Sequence, residues 1–351
     1  MEPVNVADYE ALAAERLEPG ALGYFAGGAG DERTLAENVA AWGRLRFRPR
    51  VLVDVAGATT ATTVLGQEVS MPLLVAPVAF QRAAHPDGEP GMARAAAAAG
   101  TVMCLSSLAT ASWDEIAATG VKRWFQLYVP RDEGLRAELV GGAAAQGFSA
   151  LVVTVDAPVL GRRERDHRTG FTIPYPPAIE GYLGGSPTPH GAFDGMSSSV
   201  TWADVERFAE LSRLPVVLKG VVTAEDARLA CEHGAAAIVV SNHGGRQLDG
   251  AFPTAEVLPE VVEAVDGRIE VLVDGGIRRG ADVVKALALG ARAVLAGRAP
   301  LWGLAAGGEA GARRVLELFG DEILLALQLT GCRSPAEVAA AHVAGSPVRR
   351  A

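Results

Sequence analysis

The stretch VVLKGVVTAEDARLACEHGAAAIVVSN, residues 216–242, holds the repeating unit from which the fold is read. It opens on an apolar run, Val216–Gly220, passes through the helical pattern of Ala224–His233, and closes on a second apolar run, Ile238–Asn242. Continuous rather than alternating apolar runs mark strands buried on both faces, as in a parallel sheet. The helical stretch between them is the crossover that a parallel pair requires.

The unit repeats in both directions. Apolar runs recur upstream at Leu73–Pro77, Val102–Ser106, Trp124–Val129 and Leu151–Asp156, and downstream at Val271–Gly275 and Ala293–Gly297. Most are separated by helical segments such as Arg279–Leu289. Eight such units predict an α/β fold, a (β/α)8 TIM barrel, as a single domain over residues 1–351. A chain of 351 residues accommodates that barrel with insertions.

Two segments fall outside the repeat. Residues 1–65 read as an N-terminal helical extension, acidic in pattern and running into Phe47-Arg48-Pro49-Arg50. Residues 157–202, between strands 4 and 5, are rich in Pro, Gly and Ser, with Pro174, Pro176, Pro177, Gly181, Gly184, Gly185 and Ser197–Ser199 among them. A loop of this length is either an active-site lid or a floppy insertion, and both readings stand. It leaves the C-terminal end of strand 4, the face on which barrel active sites lie.

Composition narrows the function. A net charge of −9 offers no basic footprint, so neither nucleic acid nor an anionic membrane is expected as partner. No apolar stretch approaches the roughly 20 residues of a membrane span. The start of the chain lacks a charged-then-apolar secretory pattern. Cys104, Cys231 and Cys332 are widely spaced, with no CxxC pair, which argues against a disulfide framework or a zinc site and fits a reducing compartment. The expectation is a cytoplasmic protein with no metal.

Strand ends are where a barrel keeps its chemistry. Strand 6 ends in Ser241-Asn242-His243-Gly244-Gly245-Arg246-Gln247-Leu248-Asp249. Two glycines after His243 let the backbone turn close to a ligand. Arg246, three residues on, could bind the carboxylate of a small acid on which His243 acts as general base. Taken alone, such a pair is more often a turn-capping histidine beside a surface arginine. Gly275-Gly276 followed by Arg278 reads as a phosphate loop after strand 7.

The string Ser241–Asp249 resembles the signature of the FMN-dependent α-hydroxy acid oxidase and dehydrogenase family. The resemblance runs from Tyr24 to Gly331-Cys332-Arg333-Ser334, through Ala76-Pro77, His85-Pro86, Phe125-Gln126-Leu127-Tyr128, Gly161-Arg162-Arg163-Glu164, Leu218-Lys219-Gly220, Asp274-Gly275-Gly276 and Gly297-Arg298. It implies the same barrel, FMN as cofactor, and oxidation of an L-2-hydroxy acid to the 2-oxo acid with electrons passed to O2, giving H2O2. It implies His243 as base, Asp156 orienting it, Arg246 and Tyr24 gripping the substrate carboxylate, Tyr128 on the substrate hydroxyl, and Arg163 reaching the substrate when the lid closes. For the cofactor it implies Pro77, Val78 and Ala79 beside the flavin N5 edge, and Ser106, Gln126, Thr154 and Ser241 near the ring. Lys219 would stand at N1 and O2, Asp274 on the ribityl chain, and Gly276, Arg278, Gly297 and Arg298 around the phosphate. Family members are usually homotetramers or homo-octamers.

Departures from the family bear on the acid. Some members have Trp where this chain has Leu108, and plant-type members have Thr and Met at Val78 and Phe80. Val78-Ala79-Phe80-Gln81 is similar to bacterial hydroxymandelate oxidases, so a substrate from lactate-like to mandelate-like is implied. Leu108 is alternatively part of a loop that does not set specificity. Monooxygenase members tend to have Gly at the position of Ala79, and membrane-bound members carry a basic or apolar segment where Glu180–Ser199 has neither. A soluble dehydrogenase or monooxygenase of the same family stays an alternative. From another class come an isomerase-like FMN barrel, which has no need of Tyr24, Tyr128, His243 and Arg246 together, and a catalytically silent FMN-binding barrel.

Overall fold

The computed structural model describes residues 2–182 and 186–345; Met1, then Leu183, Gly184 and Gly185 of the 157–202 segment, and residues 346–351 lie outside the described residues. Eight parallel strands close into a barrel in chain order: β1 Leu73–Val75, β2 Val102–Ser106, β3 Lys122–Leu127, β4 Leu151–Thr154, β5 Val216–Val221, β6 Ala237–Val240, β7 Glu270–Val273 and β8 Ala293–Ala296. β8 pairs with β1, Val294 opposite Leu73, and completes the ring.

Every strand read from the sequence is present, with ends that differ. The run Trp124–Val129 is β3 at Lys122–Leu127, and Leu151–Asp156 ends as β4 at Thr154. Tyr128 and Asp156 therefore sit on the loops just beyond the strands, free of the ladder and able to turn over the barrel mouth. Val129, which extended the apolar run, is buried instead by the returning segment, where Ser197 N donates to Val129 O at 2.7 Å.

The lumen explains why function is confined to one end. Leu74, Val102, Cys104, Trp124, Val152, Val217, Val239, Leu272 and Leu295 point inward and fill it as stacked layers. A hairpin, Thr62–Val64 paired antiparallel with Gln67–Val69, adds Val64 and Val69 to this core. Trp124 Nε1 donates to Gln67 Oε1 at 3.2 Å, and Lys122 and Glu270, at the starts of β3 and β7, hydrogen-bond the hairpin main chain. These contacts plug the N-terminal end of the lumen, and the barrel opens at its C-terminal mouth. All three cysteines are free. Among the described residues no helix is long and apolar enough to cross a membrane.

Residues before β1 form three helices, α1 Val6–Arg16, α2 Pro19–Ala26 and α3 Arg33–Arg44. They reach the mouth of the barrel rather than its outer ring alone. Asn38 on α3 exchanges two side-chain hydrogen bonds with Asn242, each 2.9 Å, and Trp42 Nε1 donates to Gly275 O at 2.9 Å. A Cβ on Gly276 would lie 2.1 Å from Asn38 O, so only glycine fits under α3 at this point. The 157–202 segment also packs across the mouth through the helices Glu164–Thr169 and Pro189–Phe193, with Phe171, Ile173 and Tyr182 buried.

Candidate active site

Beyond β6 the chain turns sharply: His243, Gly244 and Gly245 have φ of 59°, 62° and 77°. A left-handed histidine is uncommon, and such outliers concentrate at functional sites. His243 N is held by Ser241 Oγ at 3.1 Å. Its ring bridges two loops, with Nδ1 3.0 Å from Asp156 Oδ1 and Nε2 3.1 Å from the Tyr128 hydroxyl. An ionised carboxylate can only accept, so Nδ1 carries the proton and Nε2 keeps its lone pair toward the cleft.

The electrostatics favour that state. Burial, aided by Lys219 and Arg163, holds His243 below the usual 6.5 against the opposing pull of Asp156. Burial alone would raise Asp156, but His243 and Lys219 more than offset it and keep the carboxyl ionised. Tyr128 is pushed up to about 12, mainly by burial, and stays a neutral donor. A neutral imidazole can take up a proton and a protonated one cannot, so the state of His243 decides whether it can act as a base. With His243 as base, we therefore expect the rate of flavin reduction to be level from neutrality up to the alkaline range in which Arg246 loses its proton, and to fall on the acid side through a limb below pH 6.5; an acid limb above 6.5 in a pH series of reduction rates would contradict this arrangement.

Facing the histidine is a cationic wall. Arg246 Nη1 donates to Tyr24 O at 2.5 Å and to Gly27 O at 2.9 Å, while its guanidinium lies 4.9 Å from the Tyr24 ring centroid. Burial, then the neighbouring Arg163, lowers Arg246 to about 10, still cationic at neutral pH. Arg163, 4% exposed, lies 6.0 Å from the same ring. Two guanidiniums beside one phenol are able to bind a single carboxylate. Leu108 is 2% exposed and lines the cleft, and its carbonyl accepts from Phe80 N at 3.2 Å, so the two side chains belong to one wall. Phe193 closes another side, its ring 5.0 Å from that of Tyr128.

The same cleft, about 1060 Å³ in all with its open mouth included, continues past this chemistry. Its far wall holds Gly276, Arg278, Gly297 and Arg298, and its middle holds Pro77, Val78, Ala79, Thr154, Lys219 and Asp274. Lys219 Nζ sits 3.1 Å from Asp274 Oδ2 and 3.0 Å from Ser241 Oγ, and the carboxylates of Asp274 and Asp156 keep it cationic although burial opposes this.

Of the sequence-derived cofactor residues, Ser106, Gln126 and Ser241 do not line this cleft. Ser106 Oγ accepts from Leu108 N at 3.1 Å, Gln126 Nε2 donates to Thr154 Oγ1 at 2.9 Å, and Ser241 orients Lys219 and His243. Arg298 lines the cleft, but its guanidinium braces the main chain at Phe25, Gly27 and Gly244, at 2.8–3.0 Å. It contributes charge to this end with only two N–H groups to spare.

The residues present fit FMN. Gln126 Oε1 and Asp274 Oδ1 are buried with no hydrogen-bond partner, and a buried acceptor left unpaired costs stability. Asp274 lines the cleft and Gln126 is hydrogen-bonded to Thr154, which does, so a flavin held there would bring imide and ribityl donors to this side of the barrel mouth. The arginine and glycine turns after β7 and β8 suit a phosphate.

Some functional residues escaped the sequence reading. Gln247 ties the His243 loop to the Asp156 loop, Asn38 and Asn242 lock α3 onto β6, and Tyr182 donates its hydroxyl to Tyr128 O. For Gln247 a signal existed: an amide adjacent to Arg246 within the same string. The others depend on approach between distant segments.

Comparison with known proteins agrees with the geometry. The sequence pattern of the family described as FMN-dependent dehydrogenase matches residues 13–345. The chain is 50% identical to an L-lactate oxidase of Nostoc sp., covering 94% of this chain and 95% of that one. It is 49% identical to a glycolate oxidase of Spinacia oleracea, covering 98% and 96%. A crystal structure of mandelate oxidase with (S)-4-hydroxymandelic acid superposes with a TM-score of 0.94 at 44% identity, covering 99% of this chain and all of that one.

Proposed function

Because this chain belongs to the family of FMN-dependent α-hydroxy acid oxidases, an enzyme family with FMN as its cofactor, we propose that it converts an L-2-hydroxy acid and O2 to the 2-oxo acid and H2O2. The observation that carries the reading is the Asp156–His243–Tyr128 line facing Arg163, Arg246 and the Tyr24 ring. Arg246, Arg163 and Tyr24 bind the substrate carboxylate, and this fixes the α-carbon in front of His243 Nε2. Tyr128 donates to the substrate hydroxyl and steadies the charge that grows on that oxygen. Nε2 receives a proton from the substrate while Asp156 stabilises the imidazolium that results. The chemistry that FMN would supply here is to take up the two electrons and the second hydrogen that leave as the carbon–oxygen single bond becomes a carbonyl. Pro77–Ala79, Thr154, Lys219, Asp274, Gly276, Arg278, Gly297 and Arg298 form its cradle, with Gln126, Ser106 and Ser241 behind them. The 157–202 segment serves as the lid that keeps water from this site, supported by its packing across the mouth.

Substrate choice lies with Leu108, Phe80 and Phe193, an apolar wall that suits a side chain from lactate-like to mandelate-like. Leu108→Trp would fill the space open to such a side chain. It should lower kcat/KM for L-mandelate relative to glycolate by roughly tenfold; an unchanged ratio would place the side chain elsewhere. The acceptor is tested by aerobic turnover. One H2O2 per 2-oxo acid supports the oxidase reading, whereas a decarboxylated acid without peroxide would make the enzyme a monooxygenase.

A further inference from the structure

The turn carrying Asp156 leaves β4 and the loop carrying His243 leaves β6, and these strands are not neighbours, since β5 lies between them. No ladder joins them directly; on the Asp156 side the last main-chain tie to β5 is Val155 N donating to Lys219 O at 2.9 Å. β5 makes room for the contact: Gly220 has φ of 121°, and a Cβ there would lie 2.6 Å from Asp156 Cβ. Apolar packing does little to hold the Asp156 turn, because Val155 and Val159 are 37% and 67% exposed. Besides the Asp156–His243 pair itself and a longer bond from Arg163 Nε to Arg246 O at 3.4 Å, one side chain spans the gap. Gln247 Nε2 donates to Asp156 O and to Val159 O, both at 2.9 Å, and Gln247 Oε1 accepts from Gly161 N at 3.0 Å. Both amide hydrogens and the amide oxygen are spent on this turn. At one end it presents Asp156 to His243, and two residues beyond the other end stands Arg163.

We propose that Gln247 is a positioning residue for the His243–Asp156 pair, its amide fixing the Asp156 main chain so that the carboxylate stays on His243 Nδ1. The proposal rests on His243 being the base, as argued above. If the turn shifts, the carboxylate leaves Nδ1 and the histidine loses the partner that sets its tautomer. It also loses the one anionic group that favours its protonation. The other groups facing the imidazole are Tyr128 after β3, neutral, and the cations Lys219 on β5, Arg163 on the 157–202 segment and Arg246 on its own loop. Without Asp156 in place, the cations act unopposed and the base weakens.

The test is anaerobic flavin reduction by an L-2-hydroxy acid (L-lactate and L-mandelate), measured against pH in four holoproteins: wild type, Asp156→Asn, Gln247→Met and the double variant. Methionine keeps the length of glutamine and removes its three hydrogen bonds. Gln247→Met should retain its flavin, reduce about tenfold more slowly or worse, and move its acid limb to lower pH. In the Asp156→Asn background the same change should cost less than about threefold, because its effect passes through Asp156. A wild-type rate with an unmoved limb in Gln247→Met overturns the proposal, and so does a full tenfold loss on top of Asp156→Asn. If Gln247→Met comes without flavin, Gln247→Asn, one methylene too short for all three bonds, is judged by the same comparison. Should Asp156→Asn itself reduce at the wild-type rate, the reading of the pair as the base falls; a slow Asp156→Asn beside a normal Gln247→Met sinks only the role of Gln247.

Discussion

Replacing His243 with alanine is expected to leave the protein yellow while slowing anaerobic flavin reduction on the order of 10²–10⁴-fold, the range of a lost general base. The cofactor end of the cleft explains the retained colour. Lys219, Asp274, Arg278 and the glycine turns make no hydrogen bond through the imidazole, whose ring partners are Asp156 and Tyr128. The chemical end explains the loss: the arginines can still bind the acid, but no lone pair stands within reach of its proton. Rapid mixing with L-mandelate or L-lactate, alongside a flavin-to-protein ratio, separates the two effects. A colourless His243→Ala would mean that the histidine holds structure or cofactor instead.

Lys219→Met is expected to strip the flavin and destabilise the fold by about 3–5 kcal/mol, the range for breaking a buried ion pair from one side. The Lys219 side chain is 6% exposed, its ammonium is 3.1 Å from Asp274 Oδ2, and among the described residues it is the only side-chain donor to Ser241 Oγ. Its removal leaves the Asp274 carboxylate buried, with Oδ1 already unpartnered. Asp156 also loses part of the charge that keeps it ionised. Denaturant unfolding with and without added FMN measures the cost. A wild-type midpoint together with full flavin content would show that Lys219 is dispensable to both.

The barrel was legible because its strands are buried on both faces. Leu151, Val152 and Val153 are all fully buried, and such runs leave an uninterrupted apolar mark in the sequence. The strand ends were less legible, since Val129 owes its burial to the 157–202 segment and not to the sheet, and apolarity alone does not separate the two. His243 and Arg246 stood out through the glycines between them, and Tyr24, Tyr128, Asp156 and Lys219 joined them through the family resemblance. The depth at which residues stand was hidden. Ser106, Gln126 and Ser241 sit behind the cleft wall, and Arg298 spends three N–H groups on main-chain carbonyls. Links such as Asn38–Asn242 join positions 204 residues apart, and no local pattern announces them.

The central claim is that this cleft oxidises an L-2-hydroxy acid through His243. Purified holoprotein, mixed without oxygen with glycolate, L-lactate, L-2-hydroxyoctanoate and L-mandelate in turn, tests it most directly. The account predicts that the flavin absorbance bleaches with at least one of them, and with the L but not the D form of the chiral acids. An oxidised flavin after all four would contradict it.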